Sequence, residues 1–121
     1  MKFIGLLAGA GLLAAAAAGP AAAETWSGAF GNTIVATYSD GRVVKVYVEP
    51  DHSYAIATAD GQTIKGSWAD AAGQSCFTIT APASYVGSAP TCFPAKDYKV
   101  GDGFDGKDSS GAFHGVVTAG R

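Results

Sequence analysis

Two histidines, His52 and His114, are the residues of this sequence best suited to acid–base chemistry. A hydrolase would need one of them beside a nucleophile and an orienting acid. The sequence contains no G-x-S-x-G turn and no other local signature of such a site. We therefore expect a solvated turn histidine at position 52, a strand histidine at position 114 and no catalytic residues. A small hydrolase built around either histidine is the less favoured alternative.

Three aspartates near the C-terminus, Asp102, Asp105 and Asp108, form the best candidate for a metal site. Their carboxylates could offer oxygen ligands to Ca²⁺, and the glycines between them permit tight turns. In a calcium loop, however, the ligands recur at every second residue, whereas these recur at every third and Lys107 intrudes. We expect a solvated acidic loop with neither metal nor cofactor, and a calcium site is the weak alternative.

The first 23 residues have the pattern of a helical secretory signal peptide. Lys2 supplies a positive start, an apolar run extends from Phe3 to Ala18, and Ala21 to Ala23 offers a small-residue cleavage site. The run is shorter than the roughly 20 residues that cross a bilayer, and no basic cluster follows it. We expect cleavage before a single domain at 24–121, leaving no membrane anchor, and a periplasmic or secreted location.

The only two cysteines, Cys76 and Cys92, then predict a disulfide, because an even pair in an exported protein is usually bridged. A reactive or metal-binding pair is less favoured, since the spacing is far from C-x-x-C. Without Lys2 the chain has seven basic and ten acidic side chains, a formal charge of −3. This balance argues against a nucleic-acid partner, which would require a basic surface.

The chain after residue 24 has the alternating pattern of short antiparallel strands. Turn signals such as Asp40-Gly41 and Asp60-Gly61 recur about every ten residues, and between them apolar and polar residues alternate. Strands are predicted near 25–30, 33–38, 42–49, 53–59, 62–68, 74–80 and 111–118, with a further short strand within 92–100 and loops at 81–91 and 101–111. Seven or eight such strands favour an all-β fold, either an up-and-down barrel or a strongly curved sandwich.

Several short motifs occur in an order that resembles one group of proteins. They are Phe30-Gly31-Asn32-Thr33, Tyr47, Pro50-Asp51-His52-Ser53-Tyr54, Gly66-Ser67-Trp68, Cys76 and Cys92. In this order they resemble small exported bacterial proteins of the lipocalin-like, or calycin-like, β-barrel type, over most of residues 28–92. His52 stands where that group usually has glycine. The resemblance implies a barrel and brings no catalytic residues with it.

The many aromatic side chains would either fill the barrel or line a pocket in it. Tyr47, Tyr54, Trp68 and Phe77 are the candidate pocket residues. We expect a monomeric, non-enzymatic binding protein whose target is a small apolar ligand or a protein. A protease-inhibitor-like barrel, acting through loop 81–91 or 101–111, and a structural envelope protein are the alternatives.

Overall fold

The computed structural model describes residues 25–121, and eight antiparallel strands make up most of this range. The predicted signal peptide at 1–23 lies outside the described residues. The strands are β1 (Thr33–Tyr38), β2 (Val43–Val48), β3 (Ser53–Ala57), β4 (Thr63–Ala71), β5 (Gln74–Ala81), β6 (Thr91–Pro94), β7 (Gly103–Asp108) and β8 (Gly111–Thr118). Two 3₁₀ helices, Ser27–Ala29 and Ala83–Tyr85, are the described helical segments.

All eight strands belong to one sheet, in the order β6-β5-β4-β3-β2-β1-β8-β7. Because β8 returns to pair with β1, the sheet curls until its two edge strands, β6 and β7, lie side by side. Across this seam the rings of Phe93 and Phe104 are 5.1 Å apart in an edge-to-face contact. The predicted all-β fold of seven or eight antiparallel strands is thus confirmed, as a nearly closed barrel.

Two of the predicted segments differ from the structure. Residues 25–30 form no strand, since Trp26 has a left-handed φ of 70° and Ser27–Ala29 is a 3₁₀ helix. Residues 101–111 contain strand β7 and not only a loop. The glycines of this strand interrupt the alternation of apolar and polar residues by which a strand is predicted. Gly106 is required because a Cβ at this position would come within 2.4 Å of the Phe113 ring.

One end of the barrel, which we call the closed end, is filled by Trp26. Its side chain is fully buried, and its Nε1 donates a hydrogen bond of 2.8 Å to the equally buried Ser75 hydroxyl. Four aromatic rings contact it: Phe77, Phe93, Tyr98 and Phe104. Residues 25–32 and 95–102 therefore cover this end, and they contribute Trp26, Ala29 and Tyr98 to the buried core.

The predicted disulfide between Cys76 and Cys92 is present. The two residues are direct partners in the register of β5 and β6. Their neighbours Phe77 and Phe93 are buried inside the barrel, so the alternation of a strand places both cysteines on its outer face. The bridge therefore attaches the four-residue edge strand β6 to the rest of the sheet.

The turn between β4 and β5 offers a test of local backbone strain. Ala72 and Gly73 both have positive φ, 54° and 79°, as a two-residue type I′ hairpin requires. Alanine is disfavoured in this region by about 1 kcal/mol, whereas asparagine tolerates it. Ala72→Asn should raise the free energy of unfolding in urea by up to about 1 kcal/mol. Ala71→Asn, one residue earlier in extended backbone, should give no gain; equal gains in both variants would exclude relief of turn strain.

Candidate functional site

The barrel contains an apolar cavity that opens at the end opposite Trp26, which we call the open end. The hairpin turns at 39–42, 58–62 and 109–110, together with loop 82–90, surround this opening. Inward-facing side chains form the wall, among them Ile34, Ala36, Val44, Ile56, Ile64 and Phe113. Ala36 is a small residue between the bulkier Ile34 and Tyr38 on the same face of β1, so it leaves space inside the barrel.

The cavity has a volume of about 170 Å³. An engineered apolar cavity of about 150 Å³ in another protein binds benzene, so this space suits one ring or a short alkyl chain. It is smaller than the pockets of about 300 Å³ and above that hold drug-sized ligands. The size therefore restricts any occupant to a compact apolar group.

Polar side chains gather where the cavity opens. The Tyr38 hydroxyl donates a hydrogen bond of 2.6 Å to Oδ2 of Asp108, whose Oδ1 accepts one of 2.8 Å from the Ser110 backbone N–H. The Arg42 guanidinium lies 4.3 Å from the centre of the Tyr38 ring. It donates from Nη2 to the Ser110 carbonyl and from Nε to Asp40, both at 2.8 Å. The mouth is thus a connected polar network around an apolar interior.

Two tyrosines of the cavity wall keep their hydroxyls protonated. Burial, followed by the hydrogen bond to Asp108 and its charge, raises the pKa of Tyr38 well above its usual value. Burial, with a smaller contribution from the charge of Asp108, raises the pKa of Tyr54 to about 12. Both groups therefore remain neutral hydrogen-bond donors across the physiological pH range.

Among the buried polar side chains of the cavity wall that the structure describes, that of Tyr54 lacks a protein partner. It is 5% exposed, and within residues 25–121 its hydroxyl makes no hydrogen bond to another residue. A buried hydroxyl without a partner destabilises a protein by about 1–3 kcal/mol. A ligand carrying one polar group could satisfy it.

The four predicted pocket residues separate into two pairs. Tyr54 and Phe77 line the cavity, whereas Tyr47 and Trp68 do not. Because Val46 and Val48 of β2 face inward, the alternation of the strand turns Tyr47 outward, where Arg121 lies 5.1 Å from its ring. Trp68 is buried near the closed end, and its Nε1 donates to the Glu49 carbonyl at 3.2 Å.

The three aspartates of the candidate calcium site have three different environments. Asp102 accepts from the Lys99 backbone N–H, Asp105 lies beside His114, and Asp108 belongs to the open end. Strand alternation separates Asp105, on the outer face of β7, from Asp108 on the inner face. No group of three or more metal-ligating side chains occurs in the part of the chain that the structure describes.

Neither histidine lies on the cavity. His52 has a φ of 72°, in the left-handed region that glycine favours, and its ring stacks on Trp68 with 3.9 Å between centroids. Its Nδ1 is 3.0 Å from the Trp68 carbonyl oxygen. His114 is exposed on the outer wall, with Nδ1 2.8 Å from Asp105. These contacts attach each ring to its neighbouring strand or turn.

Ala36 and Tyr38 are not among the predicted site residues, and Asp108 is predicted only as a ligand of the alternative calcium site, not as a residue of the pocket. The alternation in β1 contains the signal for the first two, because Ile34 and Tyr38 share one face with Ala36 between them. Asp108 could be found only after β7 had been recognised as a strand.

The chain has no significant match among protein-family models, curated proteins or solved structures. No helix within residues 25–121 has the length and apolarity needed to cross a lipid bilayer.

Proposed function

We propose that this protein is an exported, non-enzymatic binding protein that holds a small apolar ligand in the open-end cavity. The observation that carries the proposal is an apolar cavity of about 170 Å³ whose wall includes the partnerless hydroxyl of Tyr54. Ligand sites are typically apolar concavities with a few polar groups that fix orientation. The disulfide supports export, because such bonds persist mainly in oxidising compartments, either the periplasm or the outside of the cell.

Toluene tests this proposal, because it matches the cavity in size and carries no charge. Titration into ¹⁵N-labelled protein should shift the amide signals of β1, β3 and β8 in a saturable manner, with a Kd on the order of 1 mM or tighter. Ala36→Leu should weaken binding at least about tenfold, since its side chain occupies the space that the ligand needs. The reporter strands carry Ile34, Ala36, Ile56 and Phe113 of the cavity wall.

Thr37→Leu is the matched control, because it adds leucine at the next position of β1, on the exposed outer face. It should leave the Kd for toluene unchanged. Absence of saturable shifts in the wild-type protein would contradict the proposal, as would unchanged binding in folded Ala36→Leu. The second candidate function, protein binding through loop 82–90, would then be favoured. Its basis is that Tyr85 and Val86 of that loop are 38% and 54% exposed.

A further inference from the structure

The carboxylate of Asp108 lines the cavity and still has capacity to bind a donor. It accepts one hydrogen bond at each oxygen, from Tyr38 and from Ser110. An ionised carboxylate offers about four acceptor positions, so about two remain. Within residues 25–121, no cation lies within ion-pair distance of Asp108. The side chain is half-buried, where a charge is less screened by water than on the open surface.

Arg42 is the cation that lines the cavity, but its charge is engaged elsewhere. Its Nε is bound to Asp40 at 2.8 Å, and its Nη2 is bound to the Ser110 carbonyl. The arginine side chain is 46% exposed, and its partner Asp40 is not part of the cavity wall. The guanidinium is therefore paired with Asp40 at the rim, and it acts on Asp108 through space without an ion-pair contact. Asp108, which lines the cavity, keeps its remaining acceptor positions for a ligand.

The Tyr54 hydroxyl, a further polar group of the wall, is neutral and lies within the field of Asp108. It can donate to or accept from a ligand, but it brings no positive charge to the interior. A carboxylate entering this cavity would lose its hydration and would be repelled by Asp108. An ammonium group would exchange its hydration for a charge-assisted hydrogen bond.

We infer that the cavity selects ligands whose compact apolar group carries an ammonium or another hydrogen-bond donor, and that it rejects the corresponding carboxylates. This inference rests on the proposed binding function and names the class of ligand. The apolar group enters the barrel beside Ala36 and Phe113, and the donor remains at the open end with Asp108. Tyr54 provides a further hydrogen bond to an alcohol or amine.

The test compares three ligands that share one ring and a two-carbon chain: 2-phenylethylamine, 2-phenylethanol and 3-phenylpropanoate. Each is titrated at pH 7 and low salt into the wild-type protein, with the same amide signals as reporters. The amine should bind at least about tenfold more tightly than the carboxylate, with the alcohol between them. Asp108→Asn should reduce this preference to about threefold or less, because the side chain loses its charge and keeps its shape.

Asp60→Asn is the control, since it removes the same charge from an exposed turn at the same end, at a residue that does not line the cavity. Asparagine keeps an oxygen that can accept the hydrogen bond from the Thr58 hydroxyl, so the neighbouring wall residue retains its partner. It should keep the wild-type preference. If the carboxylate binds as tightly as the amine, the inference is overturned, and the polar group of the ligand would lie against Arg42. This outcome is compatible with binding of toluene, so the proposed function could still hold. If neither toluene nor any of the three ligands shows saturable binding, the proposed binding function of the cavity is itself refuted. The wild-type comparison decides the inference even if Asp108→Asn does not fold.

Discussion

Trp26→Ala should destabilise the protein by about 4 kcal/mol, the largest effect we expect from any single substitution. The indole is fully buried and stacks on Tyr98 with 4.3 Å between ring centroids. It also contacts Phe93 and Phe104, which lie on the two edge strands of the sheet. Because Trp26 also lines the cavity, its removal would extend the cavity into the closed end and weaken the seam between β6 and β7. Urea unfolding followed by far-ultraviolet circular dichroism measures the loss, since this signal reports mainly the backbone of the sheet.

The hydrogen bond from Trp26 to Ser75 can be separated from the packing of the ring. Trp26→Phe retains part of the ring volume but leaves the Ser75 hydroxyl buried without a partner, so a loss of about 2 kcal/mol is expected. Adding Ser75→Ala to that variant should restore about 1 kcal/mol. Tyr85→Ala, in an exposed loop, should change stability by less than about 0.5 kcal/mol. A similarly small loss in Trp26→Ala would mean that residues 25–32 lie outside the cooperative unit.

The barrel could be predicted from the sequence because most of its strands alternate plainly. Val44, Val46 and Val48 of β2 face the same side, and Asp-Gly turns mark the ends of neighbouring hairpins. Each of these signals is local, spanning fewer than about ten residues. Consecutive pairing of strands then follows from the short connections between them.

The closed end could not be predicted because it depends on contacts between distant residues. Trp26 lies in a segment whose residue types resemble a strand, yet its indole bonds to Ser75, 49 positions away. The same limitation applied to the site. Tyr54 and Phe77 could be predicted because they are large apolar residues on strands with a clear alternation. Asp108 could not, because the glycines of β7 weaken the alternation of the strand that brings it to the cavity.

Removal of the disulfide, in the double variant Cys76→Ser/Cys92→Ser, should lower the free energy of unfolding by about 3 kcal/mol. The bridge closes a loop with a sequence separation of 16, which restricts the unfolded chain. The double variant is preferable to either single one, since a lone cysteine could form bridges between molecules. Urea unfolding of the variant, compared with wild-type protein with and without a reducing agent, provides the measurement. The reduced wild-type protein should match the variant.

The position of the bridge adds a local effect to this global one. β6 has four residues and pairs with only β5, yet it carries Phe93 into the core and ends the loop beside the cavity. Hydrogen exchange should therefore show that the variant loses more amide protection in β6 than in the central strands β2 and β3. A pure effect on the unfolded chain would lower protection equally throughout the barrel. If the free energy of unfolding falls by less than about 1 kcal/mol and the amide protection of β6 is unchanged, then Phe93 and the backbone hydrogen bonds suffice to hold β6 in the sheet.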